Sequence, residues 1–366
     1  MRILHTEASK GWGGQEIRIL TEAAGMIARG HEVEIACPPE ARIFIEAPRY
    51  GVMAHAMPIG RKNPKGLFAM RNFLRASSFD IVNSHSSTDT WLAALASRGW
   101  KAPPLVRTRH ISAPVPDNRA TRWLYRRASA HVVTTGEALR EQLIRHNGLA
   151  AAQVTSVPTG IDPARFPAAD AASRRLRRRA LGLPVDANIV GIVATLRSWK
   201  GHRYLLDALA SMRDTRAYVA IVGDGPQRAA LEEQAKSLRL AARVSFAGNR
   251  DDVSPWLQSF DLFALPSYAN EGVPQALLQA MFTGLCAVTT NAGAIPEIAI
   301  DAQTARIVPR ENSAALAAAL RELIGDPALA ARLGANAREL VVANHSLAGM
   351  LDRMEAVFDA VLRHSR

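Results

Sequence analysis

The chain has 366 residues, a length that suits two ordinary domains with a core each, and its 48% hydrophobic and 21% charged residues are those of a globular protein. Two cysteines, Cys37 and Cys286, supply neither a disulfide framework nor a metal-ligand spacing and fit a reducing cytosol. The net charge of +12 is uneven: residues 1–168 hold 22 Lys+Arg against 13 Asp+Glu, and residues 169–366 hold 23 against 20, so the first half is expected to meet something anionic, although no aromatic-rich motif or zinc pattern points to nucleic acid.

The opening MRILHTEASK has no long apolar region or processing site, so no signal peptide is expected. Strands are predicted at Ile3–Thr6, Val33–Cys37, Ile81–Ser84, Leu105–Thr108, His131–Thr134 and Val154–Val157. The first intervening helix takes its apolar stripe from Leu20, Ala23, Ala24 and Ile27, with Gly30 as its stop. The loop GWGGQE, Gly11 to Glu16, opens that helix. It is not a dinucleotide fingerprint, because Glu16 stands at the third glycine and no acidic residue ends the second strand. His85 follows the third strand and His110 the fourth, at carboxyl ends that form the ligand crevice of an open α/β sheet. Each can donate a hydrogen bond, or hold a phosphate when charged.

From Arg61 to Arg75 the chain carries Arg61, Lys62, Lys65, Arg71 and Arg75 and no acid, with Leu67, Met70 and Leu74 on one helical face. That is a short basic amphipathic helix, expected to dock on an anionic membrane surface, although a helix covering the sheet would bury the same stripe. From Arg107 to Arg127 six arginines, Arg107 and Arg109 among them, face one acid, Asp117.

The second half repeats the rhythm with strands near Ile189–Ala194, Tyr218–Val222, Val244–Ala247, Leu262–Leu265, Ala287–Thr290 and Arg306–Val308. Two doubly wound, Rossmann-like α/β halves are the simplest account. Gly and Pro in VPTGIDPARF, Val157 to Phe166, mark the connector. Arg174, Arg175, Arg177, Arg178 and Arg179 after it read as the solvated face of a helix. The last helix, about 347–366, has Leu351, Met354, Phe358 and Val361 to bury. The longest uncharged run, Gly272 to Pro296, is broken by polar residues and is no membrane span.

The most informative stretch is Leu262 to Glu297. A buried strand ends at Pro266 and Ser267, then a loop leads through Glu271, Gly272, Val273 and Pro274 into a helix with Ala276, Leu277, Ala280 and Met281 on its apolar face. Pro274 suits the first helical turn, and Gly272 allows close approach of a ligand to the backbone. The free N–H groups that follow would hold a phosphate at the positive end of the helix dipole. Glu271 beside that anion site is suited to gripping hydroxyls, and a sugar attached to a diphosphate offers both.

This segment resembles the donor site of glycosyltransferase family 4, whose pattern has Glu, seven residues and a second Glu in a setting like PS-x-x-EG-x-P. Here Glu271 matches the first and Gln279 replaces the second. The resemblance implies the GT-B fold, two Rossmann-like domains facing across a cleft, divided here as 1–168 and 169–346, with the terminal helix returning to the first. By the same resemblance Glu271 contacts the donor sugar, Gln279 the ribose, Gly13 and Gly14 the diphosphate and acceptor, and His110 the sugar or acceptor. Lys200 matches the family's lysine, whereas Arg197 is displaced from its arginine, where this chain has Thr195. Both would neutralise the departing diphosphate. Gly223 in GDGP would support the nucleotide, Asn249 and Arg250 its base, and Gly293, Pro296 and Glu297 match a corner motif. His85, Arg107 and Arg109 are the expected acceptor contacts.

The implied activity is retaining transfer of a sugar from a nucleotide diphosphate donor to an anionic or lipid-linked glycan of bacterial surface polysaccharide or lipopolysaccharide. The expected setting is cytoplasmic or peripheral on the inner membrane. No Asp-x-Asp occurs, so no metal clamp and no cofactor are expected. A nucleotide-sugar epimerase on the same fold and a non-catalytic sugar-nucleotide-binding protein are the alternatives.

Overall fold

The structure, a computed structural model, describes residues 1–366 apart from 112, 270 and 366, and only the backbone of Ser365. It divides into two compact units, Met1–Gly160 with the chain from Leu347 on, and Ile161–Ser346. The division falls ahead of the expected residue 168 because Ile161 and Phe166 pack into the core of the second unit.

Among the described residues the first unit has seven strands: β1 (Arg2–Thr6), β2 (Glu32–Cys37), β3 (Met53–Ala56), β4 (Ile81–Ser84), β5 (Leu105–Arg109), β6 (His131–Thr134) and β7 (Val154–Ser156). They pair in parallel in the order β3-β2-β1-β4-β5-β6-β7. Successive residues of a strand point to opposite faces, so a sheet covered on both sides needs apolar pairs. Ile3, Ile35, Ile81, Val106 and Val133 face one core, and Leu4, Ala36, Val82, Leu105 and Val132 face the other. The terminal helix, Leu347–Ser365, closes the first core with Met350, Leu351, Met354, Phe358 and Val361. The first helix, Gly14–Ala28, buries Ile19, Leu20, Ala23 and Met26, leaving Ala24 and Ile27 only half-buried. Its buried face is thus turned from the expected stripe, and it also carries Arg18 and Glu22.

The second unit has β8 (Asn188–Val193), β9 (Ala217–Val222), β10 (Val244–Gly248), β11 (Leu262–Leu265), β12 (Cys286–Thr289) and β13 (Ala305–Ile307), parallel in the order β10-β9-β8-β11-β12-β13. In each sheet one strand sits where the order reverses, β1 between β2 and β4 and β8 between β9 and β11. The carboxyl ends at such a point are where open α/β sheets hold ligands.

The arginine-rich helix after the connector, Ala171–Ala180, is not wholly solvated. Arg178 is buried, donating to the carbonyls of Ser259, Val185 and Ala187 and to Asp261. A buried guanidinium needs its N–H groups met, and here it ties the helix to the amino end of β8. The basic helix of the first unit, Pro64–Ala76, packs Met70 and Leu74 into the core, with Leu67 beside them, and leaves Phe68 exposed. The stripe expected to meet a membrane is therefore spent on folding.

Candidate active site

In the second unit the loop after β8 meets the loop after β11. Gly201, with φ +77, lies so close to the Pro266 carbonyl that a Cβ would stand 2.0 Å from its oxygen, so only glycine allows this approach. The Tyr268 N–H donates to the Trp199 carbonyl at 2.9 Å. This contact brings Lys200 to Glu271: its Nζ lies 2.7 Å from Oε1 and 2.9 Å from Oε2. Ser267 donates its hydroxyl to Oε1 at 2.7 Å. The Glu271 carbonyl accepts the Ala294 N–H at 3.1 Å, fixing the residue against the loop after β12. Glu271 is 4% exposed and the Lys200 side chain 20% exposed, so the carboxylate is enclosed while the lysine side chain stays partly open to solvent.

The helix Gln275–Phe282 begins directly after, with Pro274 in extended conformation at its N-cap and no side chain capping the first turn. Pro274 therefore precedes the helix instead of lying in its first turn. The N–H groups at this end are free of helical partners, and together with Lys200 they form a positively biased corner beside a carboxylate. Gly223, φ +139, approaches the Ala194 carbonyl so closely that a Cβ would stand 2.0 Å from its oxygen.

In the first unit the carboxyl ends of β1, β4 and β5 carry a buried polar network. His5 Nδ1 lies 2.8 Å from His85 Nε2, and His85 Nδ1 lies 2.9 Å from His110 Nε2. Asp89 accepts from the Thr6 hydroxyl at 2.8 Å and from the His85 N–H at 3.0 Å. Glu7, fully buried, accepts from Ser9 N–H at 2.7 Å and from the Gln15 amide. Burial, with Asp89 and Glu16 adding to it, pushes its carboxyl up to about 8. Arg18 and Glu22 form a wholly buried pair, Nε to Oε2 3.7 Å, and burial outweighs the arginine to lift Glu22 to about 6.

Two family models match the chain, Glycosyltransferase Family 4 over residues 12–165 and Glycosyl transferases group 1 over residues 173–340. The chain belongs to the group 1, family 4 glycosyltransferases. The glycosyltransferase is 28% identical over 290 residues to a D-inositol 3-phosphate glycosyltransferase of Streptomyces bingchenggensis, a match spanning 72% of this chain but only 63% of that relative. It is 28% identical over 253 residues to the lipopolysaccharide core biosynthesis mannosyltransferase LpcC of Rhizobium leguminosarum bv. viciae, covering 67% of this chain and 68% of that one. Among solved structures it superposes on Anabaena Alr3699/HepE in complex with UDP with TM-score 0.87 and 21% identity, covering 98% and 100% of the two chains. The fold is GT-B.

Within the glycosyltransferase the sequence-derived residues fall into groups. Lys200, Glu271, Gly272, Val273 and Pro274 come together at the second switch point, and His85 and His110 at the first. Gly13 is the N-cap of the first helix and Gly14 its first residue. Arg197 is exposed, its guanidinium 5.7 Å from the Trp199 ring centre, with no ion pair among the described residues. Asn249 and Arg250 are exposed, and Arg250 lies over Trp256. Gln279 is half-buried on the helix after Glu271.

Arg107 and Arg109, expected as acceptor contacts, are both engaged inside the first unit. Arg107 is buried and donates to the Ser86 carbonyl and, at 2.6 Å, to the Thr90 hydroxyl; Arg109 donates to Tyr125 at 3.2 Å and to the Ala113 carbonyl. Both lie on a central strand, where a buried cation must be met from inside. Sequence reasoning missed Ser267, His5, Glu7, Asp89 and the Arg18–Glu22 pair. Their signals were a histidine inside the apolar Ile3–Thr6 run, a carboxylate directly after it, and opposite charges four residues apart on a buried helix face. Among the described residues no group of three or more His, Cys, Asp or Glu is arranged for a metal, and no helix is long and apolar enough to cross a membrane.

Proposed function

We propose that this glycosyltransferase transfers a sugar, with retention, from a nucleoside diphosphate sugar to an anionic acceptor of bacterial surface-glycan synthesis. The Lys200–Glu271 pair carries the reading: a buried carboxylate suited to sugar hydroxyls beside a partly exposed lysine suited to diphosphate oxygens. As the bond between the anomeric carbon and the leaving oxygen breaks, charge grows on the diphosphate, where Lys200 and the N-terminus of the Gln275–Phe282 helix stabilise it. The acceptor hydroxyl attacks the same face of the sugar and passes its proton to the departing phosphate oxygen, which gives retention without a protein nucleophile. On this reading no metal is required. UDP in the Anabaena neighbour supports a nucleoside diphosphate, and the LpcC name supports a surface glycan.

The first unit offers the acceptor an open pocket of about 530 Å³ lined by Lys10, Arg61, Lys65, Glu40 and a floor of Pro38 and Met57. Lys10 is paired with Glu40 at 2.6 Å, whereas Arg61 and Lys65 make no ion pair among the described residues. Their charge supports a phosphorylated or otherwise anionic acceptor.

The test is a thermal-shift screen of UDP- and GDP-sugars, where a ligand at about 100 times its Kd stabilises by about 2.7 kcal/mol, followed by release of the nucleoside diphosphate and NMR of the product anomer. Stabilisation by one donor with release and a retained anomer supports the reading. Stabilisation without release points to the binding protein, and an inverted product overturns retention.

A further inference from the structure

The three histidines of the first unit form a linear chain with two inequivalent ends. At one end His5 is fully buried, and its Nε2 has no hydrogen-bond partner among the described residues. At the other end His110 is half-buried, and its Nδ1 makes no hydrogen bond within the described residues. The intervening contacts, His5 Nδ1 to His85 Nε2 at 2.8 Å and His85 Nδ1 to His110 Nε2 at 2.9 Å, each have room for one proton. A neutral imidazole carries one N–H and one lone pair. The chain therefore has only two polarities. In one, every ring carries its proton on Nδ1 and donates outward, leaving a lone pair on His5 Nε2. In the other every proton sits on Nε2, which leaves a buried N–H on His5 with no acceptor among the described residues.

An unpaired buried N–H is rarer in proteins than an under-satisfied acceptor. The buried Arg18 cation acts on His5 and further disfavours positive charge on that ring. We propose that His5 and His85 are positioning residues that hold His110 as its Nδ1–H tautomer, so that a hydrogen-bond donor is presented at the carboxyl end of β5. Burial first, and the neighbouring Arg18, hold the His5 ring neutral down to about 3, and burial holds His85 and His110 well below their ordinary value. The groups around the chain, Arg18, Arg107 and the His85-contacting Asp89, leave its neutral state in place. The fixed donor suits an oxygen with lone pairs, such as a sugar hydroxyl or a phosphate oxygen, and would not pair with an ammonium group.

The kinetic consequence rests on the reading of His110 as a ligand contact; the tautomer does not, and it is measured on the ligand-free protein. With ¹⁵N-histidine incorporated, long-range ¹H–¹⁵N correlation spectra near pH 7.5 distinguish the two tautomers, and single His→Asn variants assign the rings. All three rings are expected as Nδ1–H. His5→Leu removes the first donor, and the His110 pattern should shift towards Nε2–H or a mixture, with a fall in kcat of about tenfold and little change in donor KM. His5→Asn, whose amide N–H replaces that of Nδ1, should restore the Nδ1–H pattern and most of kcat. An Nε2–H or doubly protonated His110 in the unmodified protein overturns the proposal, as do identical spectra for His5→Leu and His5→Asn. Should His5→Leu fail to fold, the spectrum of the unmodified protein still decides.

Discussion

Lys200 and Glu271, 71 residues apart in sequence, meet with Nζ 2.7 and 2.9 Å from the two carboxylate oxygens. On the proposed reading this pair is the corner that meets the donor, and because contacts within the protein, Ser267 among them, hold the carboxylate in place, its charges need little reorganisation when the leaving group departs.

Removing the cation should show this. Lys200→Ala is expected to lower kcat by roughly 100-fold or more, as for loss of one preorganised charge-stabilising donor. Turnover at saturating donor is the measurement. An unchanged rate would assign Lys200 only to holding Glu271.

Gln279 distinguishes a nucleotide contact from packing. If it grips the ribose, Gln279→Ala should weaken binding of the nucleoside diphosphate itself by about 1–3 kcal/mol, the cost of an unpaired partner. Calorimetry with UDP and GDP reads this directly. A neutral variant would leave Gln279 as a surface-packing residue of its helix.

Much of the fold was legible because the parallel strands are apolar runs with sharp ends, as at Ile81–Ser84 and Leu262–Leu265. β3 was not, since Met-Ala-His-Ala at a sheet edge is neither an apolar run nor a clear alternation, and Met53 stays exposed. The Glu271 loop was readable from its local pattern. The partner Ser267 and the histidine chain were not, because their hydrogen bonds join distant strand ends that only the folded sheet brings together. Arg178 misled for the opposite reason: four neighbouring arginines gave it a solvated context that its buried carbonyl partners override.

Stability should rise with pH across the mildly acidic range. Burial first lowers His5 and His202 to about 3 and His131 to about 4, and His85 and His110 lie well below 6.5. Their folded values are below the unfolded one, so below pH 6.5 the unfolded chain binds protons that the folded chain refuses, and stability is lost as pH falls. Glu7, raised to about 8, Glu22, raised to about 6, and Asp89, also raised, act in the opposite sense, losing stability as pH rises above their unfolded values. Five histidines outnumber three carboxyls, so the urea midpoint at pH 7 should exceed that at pH 5. The reverse order would mean that the histidines are charged in the native state.

Attachment to an anionic membrane through the basic segment from Arg61 to Arg75 would rest mainly on charge, because Met70 and Leu74 are in the core and Phe68 is the exposed large apolar side chain of its helix. Each surface cation is worth about 1 kcal/mol, so Arg61 and Lys65 should give weak, salt-sensitive co-sedimentation with anionic liposomes that Arg61→Glu with Lys65→Glu abolishes. Equal, negligible binding to anionic and neutral vesicles would remove the membrane from the account.

The most direct test of sugar transfer at the Lys200–Glu271 corner is Glu271→Gln, read by two assays on the same preparation. Calorimetry should find nucleoside diphosphate binding nearly unchanged, because the carboxylate is assigned to the sugar and not to the phosphates. Release of the nucleoside diphosphate from the donor identified by the screen should fall by at least about 100-fold. Normal release, or loss of diphosphate binding together with turnover, would contradict the assignment of Glu271 to the transferred sugar.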